Sequence, residues 1–134
     1  MNRRVVVTGL GVVAPNATGL ENFRSAIRAG KSGIEKIPLL EDLKFACQIA
    51  GIPDVSEELK RQYFDELTVK VLKSTGIIYG SIAGIDAWKD AGLEVNPESE
   101  IDWNSGCVFG AGLTGVDVLR DAIYGVDELK VRRL

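Results

Sequence analysis

The strongest chemical constraint on this chain is one residue type it lacks: its 134 residues include no histidine. An imidazole base, a histidine-dependent triad or a histidine metal site therefore cannot be assembled from these residues alone. Two thiols remain, Cys47 and Cys107. Their settings, Phe45-Ala46-Cys47 and Gly106-Cys107-Val108-Phe109, are apolar. That context predicts buried structural thiols in a reducing compartment, with neither a disulfide framework nor a metal centre. No catalytic residue and no cofactor site is expected from these groups.

The bulk composition narrows the partners. With 16 Lys and Arg against 19 Asp and Glu, the formal net charge is −3, which offers no field for a polyphosphate backbone, so no nucleic-acid partner is expected. Hydrophobic residues make up 46% and charged residues 26%, the balance of one soluble globular domain and not of a disordered tail. Met1-Asn2-Arg3-Arg4 precedes an apolar run, but glycines interrupt it and no clean cleavage site follows. No apolar stretch approaches the ~20 residues of a bilayer crossing. The expectation is a mature cytoplasmic start and no membrane span.

The elements that would position any site follow from periodicity. Val5-Val6-Val7, continued by Val12 and Val13, predicts a strand buried on both faces, in the middle of a sheet. Pro15 and Asn16 end it. Thr18 and Glu21 have the spacing of a capping box, so a helix is expected from there, with Leu20, Phe23, Ala26 and Ile27 on its apolar face and Gly30 and Gly33 as stops. From Ser32 to about Gln62 no period is sustained, which predicts irregular chain with short helical turns, one of them at Ser56 to Arg61. Val69, Leu72, Gly76, Tyr79, Gly80, Ala83, Ala87 and Ala91 then recur every three or four residues up to Gly92. This should be the longest helix, and its small-residue face admits close backbone approach. Asn96 to Ser99 reads as a turn, Cys107-Val108-Phe109 as a second core strand ending in the Gly-rich bend Gly110 to Gly115, and Val116, Leu119, Ala122 and Ile123 as a further helix. The tail from Asp127 to Leu134 has neither cap nor turn and reads as an interruption.

Val7-Thr8-Gly9-Leu10-Gly11-Val12-Val13-Ala14 also fits the pattern of a dinucleotide-binding turn, G-x-G-x-x-A behind a strand. In that fold the helix begins inside the glycines so that its amides face a pyrophosphate. Here Pro15 and Thr18 postpone the helix, and Glu35 is the only candidate for the acidic residue on the following strand. A small dinucleotide-binding domain is therefore a minor alternative. Glycines that let a central strand pack closely are the simpler account.

Arg3-Arg4-Val5-Val6-Val7-Thr8-Gly9-Leu10-Gly11-Val12-Val13-Ala14-Pro15, followed by Phe23-x-x-Ala26-Ile27-x-x-Gly30-Lys31-Ser32-Gly33-Ile34, resembles the N-terminus of the elongating β-ketoacyl-[acyl-carrier-protein] synthases. The resemblance continues through Phe45-Ala46-Cys47, Ala87-Trp88-Lys89-Asp90-Ala91-Gly92-Leu93 and Gly110-Ala111-Gly112-Leu113-Thr114-Gly115, covering essentially the whole chain. It implies an α/β, thiolase-like layered fold (α-β-α-β-α), of which residues 1–134 would be the N-terminal part, cut before the nucleophile. The valine-rich segment would then be an interior ribbon beside the segment around Phe109.

The activity implied is a decarboxylating Claisen condensation of acyl and malonyl thioesters in fatty-acid or polyketide-type biosynthesis, using a Cys thiolate and two His residues. Neither Cys47 nor Cys107 occupies the nucleophile's place, so this chain alone would be inactive. Leu113 and Phe109 are the implied acyl-pocket residues. Lys60, Arg61, Lys70 and Lys73 would offer a basic surface to an acidic acyl carrier protein, and Val116 to Tyr124 resembles the part near the dimer contact, with a second copy or a related subunit as partner. One departure stands out: Lys70-Val71-Leu72-Lys73-Ser74-Thr75-Gly76 replaces the basic-x-Met-Asp-x-Phe run of many relatives. That loss of charge pairing points away from the housekeeping subgroup, toward a specialised synthase or a non-catalytic chain-length-factor-like partner.

Overall fold

Pro15 and Asn16 turn the chain back on itself, and the residues on either side pair as a two-stranded antiparallel hairpin in the computed structural model, which describes residues 3–94, 101–112 and 115–128. The strands are β1 (Val13–Ala14) and β2 (Ala17–Thr18), in register Val13 to Thr18 and Ala14 to Ala17, and Gly19 N–H donates to the Val12 carbonyl at 2.9 Å to close the ladder. Because the ladder takes up Thr18, the expected capping box does not form. Helix α1 (Leu20–Arg28) starts at an N-cap glycine, Gly19, with no side-chain cap, and the Asn22 side chain donates to the Thr18 carbonyl at 3.0 Å. Its stop is as expected: Gly30 has φ 65°, the left-handed conformation that glycine adopts without penalty.

Beyond α1 the chain builds a second antiparallel hairpin from β3 (Ile34–Lys36) and β4 (Ile49–Gly51), with Glu35 opposite Ala50. Between them lies α2 (Pro38–Asp42), with Pro38 in its first turn, where the missing N–H costs nothing. Lys36 and Glu41 pair at 2.6 Å across this connection. Glu35 therefore sits mid-strand in an antiparallel pair and not at the end of a parallel strand, and a hairpin separates Gly11 from α1. Both facts remove the dinucleotide alternative.

Helices α3 (Glu57–Tyr63), α4 (Glu66–Val71), α5 (Thr75–Asp90) and α6 (Val116–Asp127) complete the described elements. The periodic run from Val69 to Ala91 predicts one helix, but Leu72 turns extended at ψ 104° and divides it into α4 and α5. Ser74 and Thr75 favour a helix start over a helix interior, and the Ser74 carbonyl accepts the bond from Ile78 N–H at 3.1 Å. At 16 residues α5 is the longest described helix, and Gly92 follows it at φ 69°.

Two corrections concern expected strands. Val5 to Val7 and Cys107 to Phe109 carry no strand, and Val5 and Val108 are 95% and 98% exposed. Neither segment finds a ladder partner among the described residues, and a strand without neighbours has nothing to pair its backbone. The expected turn at Asn96 to Ser99 lies outside the described residues. Both thiols, expected to be buried, are exposed; Cys47 donates to the Ile49 carbonyl at 3.6 Å.

The chain divides into two compact units, Met1–Ser56 with Ile82–Val95, and Glu57–Ser81 with Asn96–Leu134. In the first, Gly9 and Gly11 lie directly on α5. A Cβ on Gly9 would fall 2.6 Å from the Ala91 nitrogen, and one on Gly11 would fall 2.7 Å from the Ala87 nitrogen, distances that real side chains do not reach. Leu10 N–H, between them, donates to Asp90 Oδ2 at 2.9 Å. The small-residue face of α5 thus does what its composition predicts: Ala83, Ala87 and Ala91 admit a backbone at contact distance. Among the described residues, Ala26 and Ile82 are the buried hydrophobics of this unit, and Ile78 that of the second.

In the second unit, Asp65 caps α4, accepting from Thr68 N–H at 2.7 Å, and this backbone bond holds its carboxyl below the ordinary value. A depressed carboxyl pKa contributes helix stability above the unfolded-state value and loses it as pH falls through the folded one. Acidification is therefore expected to release Thr68 N–H before α5 melts. Amide exchange at Thr68 followed down the carboxylate range checks this, and protection that persists below the titration of Asp65 would refute it.

Candidate functional site

Phe109 is the one implied pocket residue within the described structure; Leu113 lies outside the described residues. Within the second unit the Phe109 ring rests on α5 where that helix has no side chain, its Cε1 3.5 Å from the position a Gly80 Cβ would take. Gly76 and Gly80, one turn apart, therefore leave a trough. Together with Ile77, Ser81, Phe109, Gly110 and Ala111 they bound a cleft of about 250 Å³ with a mainly apolar lining. The sequence shows Gly76 and Gly80 only as members of a helical stripe. That Gly80 faces Phe109 follows from the chain returning after residue 100, which no local pattern encodes.

Three of the four basic residues proposed as a docking surface converge on one carboxylate. Lys60 donates to Glu57 at 2.7 Å across one turn of α3, and this bond, reinforced by Arg61 and Lys73, holds the Glu57 carboxyl below its ordinary value. The Lys60 side chain is 21% exposed, so its charge is largely engaged. Arg61, Lys70 and Lys73 are exposed.

Cys47 is in the first unit and Cys107 in the second, and among the described residues no group of three or more His, Cys, Asp or Glu side chains could hold a metal ion. No described helix is long and apolar enough to cross a membrane. The described residues supply an apolar cleft, and Arg61, Lys70 and Lys73 are each exposed.

The family model for the N-terminal domain of β-ketoacyl synthases matches residues 2–127. The chain is 35% identical over 98% of its length to 3-oxoacyl-[acyl-carrier-protein] synthase 2 of Vibrio cholerae, of which it spans 31%. It is 32% identical over 96% of its length to a putative polyketide beta-ketoacyl synthase 1 of Streptomyces halstedii, of which it spans 29%. A third relative, the tetracenomycin polyketide synthase ketoacyl synthase beta subunit of Streptomyces glaucescens, is 36% identical over 84% of this chain, which spans 26% of it. The chain thus corresponds to less than a third of the length of these relatives. With the family model spanning nearly all of it, the chain belongs to the β-ketoacyl synthase family, in which it corresponds to the N-terminal domain.

Proposed function

We propose that residues 1–134 form the opening portion of a β-ketoacyl-[acyl-carrier-protein] synthase with the layered thiolase-like fold, supplying framework and one wall of the acyl pocket. The observation that carries this reading is the family match over residues 2–127. The open apolar surfaces support it: Val5 to Val7, Val108 and Phe109 are exposed here, and such patches call for a cover. The rest of the layered fold would supply that cover. The residues that perform the reaction lie outside this chain, which has no histidine.

In the proposed reaction a cysteine thiolate attacks the acyl thioester and the carrier thiol leaves. Malonyl thioester then loses carbon dioxide, and the enolate so formed attacks the acyl carbonyl, making the carbon–carbon bond and releasing the thiolate. Phe109 and Leu113 would border the acyl chain, with the Gly76 and Gly80 trough giving the ring its seat. Lys70, Lys73 and Arg61, with Lys60 in a smaller part, would meet an acidic acyl carrier protein. Val116, Leu119, Ile123 and Val126 form an exposed stripe on α6 whose three-four-three spacing suits a helix-packing seam, consistent with a dimer of like or related subunits. The proposed setting is the cytoplasm.

The 134-residue chain alone, given malonyl and acyl thioesters of a carrier protein, is expected to release no carbon dioxide and to take up no acyl group. Robust turnover of either kind would overturn the reading. In the continuation of the reading frame, a cysteine at the nucleophile position with two downstream histidines identifies the condensing enzyme; a glutamine there makes the protein its chain-length-factor-like partner.

A further inference from the structure

The cleft between α5 and the segment from Phe109 to Ala111 lies wholly within the second unit. No charged side chain bounds it, and its side chains together offer one hydrogen-bond donor, the Ser81 hydroxyl. Its two large apolar side chains, Ile77 and Phe109, are 48% and 65% exposed, so an occupant has apolar area to remove from water there. Apart from its chain neighbours and its own helix, a Gly80 Cβ would meet only the Phe109 ring within 4 Å among the described residues, Cε1 at 3.5 Å and Cδ1 at 3.7 Å. A side chain at position 80 would therefore stand in the cleft.

We propose that this cleft selects an unbranched alkyl tail on the acyl thioester over a poly-β-keto tail, with Gly80 leaving the room for it. The proposal rests on the condensing-enzyme reading and decides between the two tail chemistries that reading leaves open. A poly-β-keto tail carries a carbonyl on every second carbon, and each oxygen gives up its hydration on entering. Burying such oxygens without donors is costly, and one hydroxyl cannot serve a row of them. An alkyl tail asks for no donor and gains from burial against Ile77 and Phe109. An apolar wall rejects a polar isostere by up to about a hundredfold, so a preference of about tenfold or more is within its reach.

The test titrates octanoyl-N-acetylcysteamine and its 3,5-dioxo counterpart into the isotope-labelled full chain, read from backbone amide shifts. Saturable shifts at Gly76, Gly80, Ser81 and Ala111 are expected with the octanoyl thioester, at affinity at least tenfold above that of the dioxo compound. Gly80→Leu should weaken octanoyl binding at least tenfold, and Gly80→Ala should weaken it by less. Alanine suits a helix interior better than glycine, and an unchanged amide spectrum away from the cleft confirms that each variant is folded. Equal affinities, a preference for the dioxo compound, or octanoyl binding indifferent to Gly80→Leu overturns the proposal. Elongation of an octanoyl carrier thioester by the complete synthase separates the two readings. Elongation without the cleft shifts removes the proposal and leaves the condensing-enzyme reading standing; the cleft preference without elongation removes the enzyme and leaves the alkyl site in place.

Discussion

Replacing Gly11 with alanine is expected to destabilise the chain by about 3 kcal/mol, the upper end of the usual cost of overpacking. The added methyl would overlap the Ala83 carbonyl and come within 2.7 Å of the Ala87 nitrogen, both backbone atoms of a regular helix. No rotamer change relieves such a clash; α5 or the segment carrying Leu10 must move, and with it the Leu10 to Asp90 hydrogen bond. The same substitution at Gly80 should have the opposite sign. There the methyl meets only the Phe109 ring at 3.5 Å, an ordinary contact, and alanine in a helix interior is favoured over glycine by up to about 1 kcal/mol. Urea unfolding of both variants measures the contrast through their midpoints at constant slope. Equal midpoints would show that the glycine seam carries no packing constraint.

Reversing the charge of Lys70 and Lys73 together is expected to slow association with an acyl carrier protein by on the order of tenfold at low salt, in the complete synthase. Complementary charge acts mainly on the encounter rate, so the loss should shrink as salt is added and the Debye length falls. Lys60→Ala should do much less, because Glu57 already holds that ammonium at 2.7 Å. Rapid-mixing measurement of association at two ionic strengths tests both statements. An association rate indifferent to the double reversal would leave this face as solvated surface.

How far the sequence foretells this structure depends on which contacts each element needs. Helix α1 is legible because Leu20, Phe23, Ala26 and Ile27 share one face and Gly30 stops it. The alanine stripe of α5 correctly announces a close neighbour. The β3–β4 hairpin escapes notice because its strands are three residues each and a helix is inserted between them, so no local turn signal joins them. The valine-rich strand fails for the opposite reason: three β-branched residues state a preference for a sheet, but pairing must come from other segments, and none of the described residues supplies it. The cysteines mislead because apolar neighbours in sequence do not bury a thiol when those neighbours are themselves exposed. Of the candidate site, the acyl-pocket role of Phe109 comes from family resemblance alone; the seat of its ring on Gly80 is a tertiary fact.

The hydrogen bond from Leu10 to Asp90 links residues 80 apart, and that separation bears on how the protein is made. A ribosome adding roughly 5 to 20 residues per second needs about 4 to 16 s to travel from one to the other. Throughout that interval the nascent chain holds Val5 to Val7 without the helix that the next glycines will rest upon. Apolar, β-prone stretches left waiting in this way are sites of misassociation, and Val5 to Val7 stay exposed even after Ala91 has been made and Gly9 and Gly11 have their seat.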